Sequence, residues 1–194
     1  MINEIILASK SKVRKKILEE NKLKCYVEPS NIDEDEVKKS LLKEKASPEI
    51  ISKNLAELKA NKISLKNKDK LVLGADSVID LNGKIISKPK DREEALKILT
   101  DLNGETHYLI SSVCISQNGS MIWNYTDKAA LTMKNMTSEE LKIYLAKIKD
   151  EDLYSYNVYQ IEGEGRTLFS KIDGDENTIM GLPIKEIKEY LGTI

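Results

Sequence analysis

Asp76 is the first charge after the apolar run Leu71-Val72-Leu73 and Gly74, and Lys88 stands further on, just before Pro89. Between them, Asn82-Gly83 separates the β-branched pairs Val78-Ile79 and Ile85-Ile86, the strongest short-range hairpin signal a chain carries. A carboxylate at one end of a hairpin and a cation near the other can address a metal-bound phosphate from two sides; a strand-end aspartate is also a common turn former. With a two-residue loop, Leu81 faces Lys84, Ser77 faces Lys88 and Asp76 faces Pro89, so Asp76 and Lys88 would point to opposite sides. For both to serve one site, a bulge must shift the register or Lys88 must lie past the ladder. One of these irregularities is predicted.

Other groups could join them. Ser9 and Ser11 precede a helix whose first turns hold Lys10, Lys12, Arg14, Lys15 and Lys16, although cations at a helix start oppose the macrodipole. An anion bound there removes the conflict, and free N–H groups, two hydroxyls and a guanidinium make a phosphate cradle. The block Asp33-Glu34-Asp35-Glu36 suits a solvated helix start, or one of its acids could share a hard divalent cation with Asp76. Lys59 lies beside an apolar helical stripe, where it could simply complement the helix C-terminus. In Gln160-Ile161-Glu162-Gly163-Glu164-Gly165, the two glycines let the backbone pack against a planar or anionic group, or merely make a bend. His107, with no cysteine or second histidine near it in sequence, is taken as structural.

The elements that must position these groups alternate. Ile5-Ile6-Leu7 is a buried-strand pattern, followed by a helix with Val13, Ile17 and Leu18 inward and Ser9 or Ser11 as N-cap. Ser47-Pro48 opens a helix whose expected buried stripe is Ile51, Leu55 and Leu58. Asp91-Arg92-Glu93-Glu94 and Thr137-Ser138-Glu139-Glu140 both match capping boxes. Between those helices, a strand over Tyr108–Ser116 turns at Asn118-Gly119 into a long partner over Met121–Met133, which makes the middle of the chain antiparallel sheet. A strand over Thr167–Ile172 and a last helix ending at Leu191 complete the expected elements.

The 194 residues, 40% of them hydrophobic, suffice for one core, and a single domain over residues 1–194 is expected. With 31 basic and 32 acidic residues the formal net charge is -1, so no bulk field draws the chain to nucleic acid or a membrane surface and any anion site must be local. Two widely separated cysteines and a single histidine argue against a zinc site and fit reduced thiols in a cytoplasm. No stretch approaches the roughly 20 apolar residues of a membrane span.

In this order and spacing the pieces resemble the Maf family of nucleoside triphosphate pyrophosphatases. The motifs are Leu7-Ala8-Ser9-Lys10-Ser11 with Arg14, Ile32-Asp33-Glu34, Leu55-Ala56-Glu57-Leu58-Lys59-Ala60, Gly74-Ala75-Asp76, Lys88-Pro89 with Asp91, Gly104-Glu105-Thr106-His107, Ile161-Glu162-Gly163-Glu164-Gly165 and Gly181-Leu182-Pro183. The resemblance implies an α/β inosine triphosphatase-like fold, a mixed, largely antiparallel twisted sheet flanked by helices. It also implies a cytoplasmic enzyme, often a homodimer, that clears modified or non-standard nucleotides by hydrolysing the triphosphate to monophosphate and pyrophosphate with a divalent metal, Mg²⁺ or Mn²⁺.

Carried over by position, Asp76 would be the catalytic carboxylate and would hold the metal with Glu34, while Ser9, Ser11, Arg14, Lys59 and Lys88 would hold the triphosphate. Val13, Ser77 and Glu162 match the base-specificity positions. The glutamate at 162 resembles the branch preferring 7-methylguanosine triphosphate, since a carboxylate accepts from the N1–H and N2–H edge of guanine but faces two acceptors on uracil or thymine. Val13 and Ser77 match neither branch. The chain departs from the family pattern at Lys12-Val13, where proline and a second arginine are usual, at Ser87 and at Tyr156-Asn157, where small residues and glycine are common. A role associated with the family, regulation of septum formation by nucleotide binding with little catalysis, is the alternative, and the retained Asp76, Glu34, Lys59 and Lys88 argue for activity. A phosphatase releasing orthophosphate would differ in its product.

Overall fold

The computed structural model describes residues 4–193, with Ser155 and Tyr156 described by their backbone alone. Strands β1 (Glu4–Leu7), β2 (Lys24–Val27), β3 (Val72–Leu81), β4 (Lys84–Ile86), β5 (Thr106–Gln117), β6 (Ser120–Met133) and β7 (Phe169–Asp173) form one sheet in the order β2-β1-β3-β5-β6-β7, with β4 paired to β3. β1 runs parallel to β2 and β3, and every other pairing is antiparallel. This is the mixed, largely antiparallel α/β architecture expected from the sequence.

The site is prepared by an interruption at β3. β5 covers one edge of that strand over Val72–Asp80, so β1 and β4 must share the other. β1 reaches only to Leu73 and β4 starts only opposite Ile79. Among the described residues, the edge from Gly74 to Val78 therefore has no strand partner, and side chains stand in: Arg14 Nη1 donates to the Ala75 carbonyl at 3.0 Å and Lys59 Nζ at 3.4 Å. A buried carbonyl left without a donor would be costly, so these cations take the place of the strand that the notch lacks.

Helices cover both faces. On one, α1 (Lys12–Glu20) and α8 (Ile184–Thr193) bury Ile17, Leu18, Ile187 and Leu191 against Leu73 and Ala75. On the other lies α3 (Pro48–Ser64), and a Cβ at Gly74 would stand 2.1 Å from the Ala56 carbonyl oxygen and 2.7 Å from the Ala60 nitrogen. Only glycine allows this approach. It turns Ser52, Ala56, Lys59 and Ala60 inward with Ile51 and Leu55, and leaves Leu58, expected in the stripe, 43% exposed. A second cluster joins α4 (Arg92–Leu102), α5 (Ser138–Lys147) and α6 (Asp150–Tyr156) to the far ends of β5 and β6 through Leu99, Leu109, Leu131, Leu141 and Leu153.

Local chemistry sets the helix starts. Ser11, Asp33, Ser47, Asp91 and Thr137 each accept a backbone N–H from the first turn of α1, α2 (Glu34–Lys43), α3, α4 and α5. Thr137 and Glu140 complete a capping box, whereas Glu94 reaches the Lys90 nitrogen rather than that of Asp91, so the box expected at α4 is only half formed. α6 lies where the sequence pattern predicts no helix, and its N-cap, Lys149, makes no side-chain cap bond. The strand expected from Thr167 begins at Phe169, because Glu164–Leu168 is a turn of 3-10 helix. A short α7 (Glu176–Ile179) precedes Gly181.

Candidate active site

Ser9, Ser11, Val13, Arg14, Glu34, Lys59, Asp76, Ser77, Lys88 and Glu162 all line one cavity of ≈ 870 Å³ at the notch, within the roughly 300–1,000 Å³ of ordinary ligand clefts. Asp76 and Ser77 are neighbours on β3 and so project to opposite faces of the sheet. The missing strand opens both faces to the same space.

Asp76, 4% exposed, faces α3. Its Oδ1 lies 2.7 Å from Lys59 Nζ, its carbonyl accepts from Ser52 Oγ at 3.1 Å, and its Oδ2 is buried with no partner. Lys59 also reaches Glu34 Oε1 at 2.9 Å, so with the Ala75 carbonyl each of its three protons has an acceptor. The ammonium does not complement the C-terminus of its own helix; it binds two carboxylates across the notch. Burial pushes the Asp76 carboxyl above its usual range, against the pull of Lys59. Burial acts the same way on Glu34, but there Lys59, with Lys38 and Arg14, wins and holds the carboxyl below its usual range.

Arg14 faces the other way. Nε donates to the Gly181 carbonyl at 2.9 Å, Nη1 to Ser9 Oγ at 3.2 Å and to Ala75, and Nη2 to Ser77 Oγ at 3.0 Å. Four of the five guanidinium protons are thus taken up by the protein itself, leaving one for a ligand. Ser9 and Ser11 only accept: Ser9 Oγ from Arg14 Nη1 and the Ser11 amide, and Ser11 Oγ from the Arg14 amide in the first turn of α1. Their own hydroxyl protons, and the positive end of α1, are left to meet an anion.

Lys88 reaches the cavity because the β3–β4 ladder stops at Ile86, one of the two irregularities predicted. Among the described residues its ammonium makes no ion pair or hydrogen bond, nor does the exposed Glu162 carboxylate. The glycines beside Glu162 do not admit a ligand here: a Cβ at Gly165 would meet the backbone of Gln160 at 2.5 Å, Gly163 has open space, and neither lines this cavity. Asn157 stands at φ 77° and ψ -163°, a backbone conformation natural to glycine, and its Oδ1 accepts the Val158 N–H at 2.9 Å. The Tyr156 side chain lies outside the described residues.

The profile of the family described as Maf-like protein matches residues 4–194. This chain belongs to that family. It is 76% identical, over the whole of both chains, to the Pelagibacter ubique protein named nucleoside triphosphate pyrophosphatase. It is also 36% identical to the Rhizobium etli protein named 7-methyl-GTP pyrophosphatase, covering 100% of this chain and 99% of the relative. A Bartonella quintana protein of that same name is 40% identical, over 95% of this chain and 92% of its own. Among solved structures, the Staphylococcus aureus Ham1 protein aligns with 98% of each chain at 15% identity and a TM-score of 0.44.

Residues outside the expected set also support or border this cavity. Ser52 sits with Lys59 on the buried stripe of α3, and two polar residues on an apolar stripe were a usable signal. Lys38 lines the cavity one turn after Glu34, with Nζ 4.0 Å from Glu34 Oε2. Tyr159, Ile179 and Met180 line it from distant segments with no local signature. His107 is fully buried and outside the cavity; its Nε2 pairs with Tyr159 Oη at 2.8 Å, and burial pushes its pKa down to about 4.

Proposed function

We propose that this Maf-like chain is a nucleoside triphosphate pyrophosphatase, converting a nucleoside triphosphate and water to the monophosphate and pyrophosphate. The observation that carries the reading is Asp76: one oxygen is fixed by Lys59, and the other is buried against the cavity with no partner. A carboxylate so held is oriented by one oxygen and available through the other, to a cation or to the attacking water. The high-identity relative named for this activity supports the same reading.

A divalent cation fits the donor set. Asp76 and Glu34 present hard oxygens on either side of one ammonium, and Asp76 Oδ2 has an open lone pair. With two carboxylates and no third acidic, His or Cys ligand grouped with them among the described residues, the remaining positions would fall to substrate oxygens and water, as Mg²⁺ or Mn²⁺ allows. Such an ion supplies Lewis-acid polarisation of the phosphate and a more acidic water. The rest is done by the chain: Ser9, Ser11 and the start of α1 donate to phosphate oxygens, Lys88 offsets charge gathering on the departing pyrophosphate, and Asp76 takes the proton of the attacking water.

For the base we favour 7-methylguanosine over thymidine or uridine. Glu162 is a free acceptor in the cavity, suited to the two N–H donors of guanine and to the cationic methylated ring, and relatives at 36% and 40% identity are named for 7-methyl-GTP. A cytoplasmic setting and a homodimer belong to the same proposal, and sedimentation of the purified chain tests the second.

The deciding experiment is a product-resolved hydrolysis screen with Mg²⁺ or Mn²⁺ over 7-methylguanosine, thymidine, uridine and inosine triphosphates, beside Asp76→Asn and Glu162→Gln. Pyrophosphate release lost in Asp76→Asn, with preference moving toward the pyrimidines in Glu162→Gln, is expected. Orthophosphate as product, or binding without turnover, overturns the pyrophosphatase reading.

A further inference from the structure

Ser77, Ser111 and Asp127 form a row across three strands. Ser77 pairs with Ser111 between β3 and β5, and Ser111 pairs with Asp127 between β5 and β6, so their side chains share one face of the sheet. Ser111 Oγ donates to the Thr178 carbonyl at 2.7 Å, and the Ser77 and Ser111 hydroxyls are 2.8 Å apart. A hydroxyl has one proton. Since that of Ser111 is committed to Thr178, Ser77 must donate to Ser111 while accepting from Arg14. The order is Arg14 to Ser77 to Ser111 to the Thr178 carbonyl, and Thr178 Oγ1 donates onward to Asp127 Oδ2 at 2.6 Å.

Both ends of this row grip one short segment. Thr178 lies in α7, Arg14 Nε holds the Gly181 carbonyl, and between them Ile179 and Met180 line the cavity. Gly181, at φ +94°, is pressed so closely on the row that a Cβ would stand 2.9 Å from Ser77 Oγ and 3.2 Å from Arg14 Nη2. Ser111 and Thr178 are fully buried, and neither they nor Asp127 line the cavity. A hydroxyl buried in the middle of β5 is costly unless both its bonds are made, and here both bonds lead to the cavity wall.

We propose that Ser111 and Asp127 are positioning residues for nucleotide binding. Through Thr178 they set the wall formed by Ile179, Met180 and Gly181, an apolar surface suited to the flat face of a base. Ser77, whose proton is committed to Ser111, is a link in this row and does not donate to the base. The inference rests on the cavity taking a nucleotide. It places the effect of the row on substrate affinity, because the row ends on the wall and not on Asp76.

The test compares Ser111→Ala, Asp127→Ala and Asp127→Asn with the parent chain by two readouts. The first is amide hydrogen exchange without nucleotide. In both alanine variants the amides of Met180, Gly181 and Leu182 should exchange about tenfold faster, the loss of one buried hydrogen bond, while those in the middle of β5 and β6 hold. The second is hydrolysis of the preferred nucleotide. KM should rise about tenfold in the alanine variants with kcat within twofold, and Asp127→Asn, which keeps an acceptor for Thr178, should restore both readouts. Unchanged exchange at Met180–Leu182, or a fall in kcat at constant KM, overturns the proposal. Should Ser111→Ala fail to fold, the Asp127 pair decides alone. If the parent chain hydrolyses nothing, the pyrophosphatase reading fails, while exchange still decides whether the row positions the wall.

Discussion

Among the described residues, two buried side-chain atoms lack a hydrogen-bond partner, Asp76 Oδ2 and His107 Nδ1. Both belong to residues anchored at their other end, Asp76 by Lys59 at 2.7 Å and His107 by Tyr159 at 2.8 Å. The difference is what the open atom faces. Asp76 borders a cavity rimmed by cations and free hydroxyls, where an open lone pair can be filled by a ligand. His107 lies outside that cavity beside Tyr159 and Phe169, with ring centroids at 5.6 Å and 5.8 Å, and its burial keeps the ring neutral. An unsatisfied group points to chemistry when it meets a space that a substrate can enter; in a packed core it is a stability liability.

The sharpest test of that contrast is paired replacement. Asp76→Asn should lower kcat by about 10³-fold, whereas His107→Gln should leave it within about threefold; comparable losses from both would erase the distinction. A pH series follows. His107 titrates near 6.5 unfolded but near 4 folded, so the unfolded chain gains a proton the native chain refuses. Stability present above pH 6.5 should then fall by about 3 kcal/mol as the pH drops to 4. Urea unfolding at both ends of the window checks this, and His107→Gln should flatten that part of the slope.

Packing on the Asp76 side is tested by Gly74→Ala, whose methyl would collide with the α3 backbone. A loss of about 3 kcal/mol in melting experiments is expected, with activity falling further than stability because Lys59 shifts with the helix. The smallest effect should come from Asn157→Gly. It removes a non-glycine residue from φ 77° and should stabilise the chain by about 1 kcal/mol after the lost Oδ1 bond is counted. A destabilisation would mean that this bond outweighs the strain.

How much of this was legible depended on how far apart the partners lie in the chain. Asn82-Gly83 set a register that put Asp76 and Lys88 on opposite sides, so Lys88 had to leave the ladder, and it does. The helix-start cations near Ser11 mark a candidate anion site, where the Ser9 and Ser11 hydroxyls only accept within the protein. Helical spacing alone misplaces Leu58 and leaves the role of Lys59 open, because the face α3 turns inward depends on Gly74, a strand residue that lets the helix approach by its Ala56 side. α6 leaves little mark in the sequence, because it has no side-chain cap and ends at an asparagine in a glycine-like conformation. The row through Ser111 joins residues 67 positions apart, beyond the reach of any local pattern.

The gap along β3 also bears on how the protein behaves in a crowded solution. A bare stretch of strand edge is a template on which another polypeptide can lay a strand, the usual beginning of sheet-to-sheet aggregation. Here an intruder would have to draw Lys59 from two carboxylates and Arg14 from the Ala75 carbonyl, then pass its backbone between buried charges. The side chains that stand in for a strand partner at the notch thus also guard it against a foreign strand.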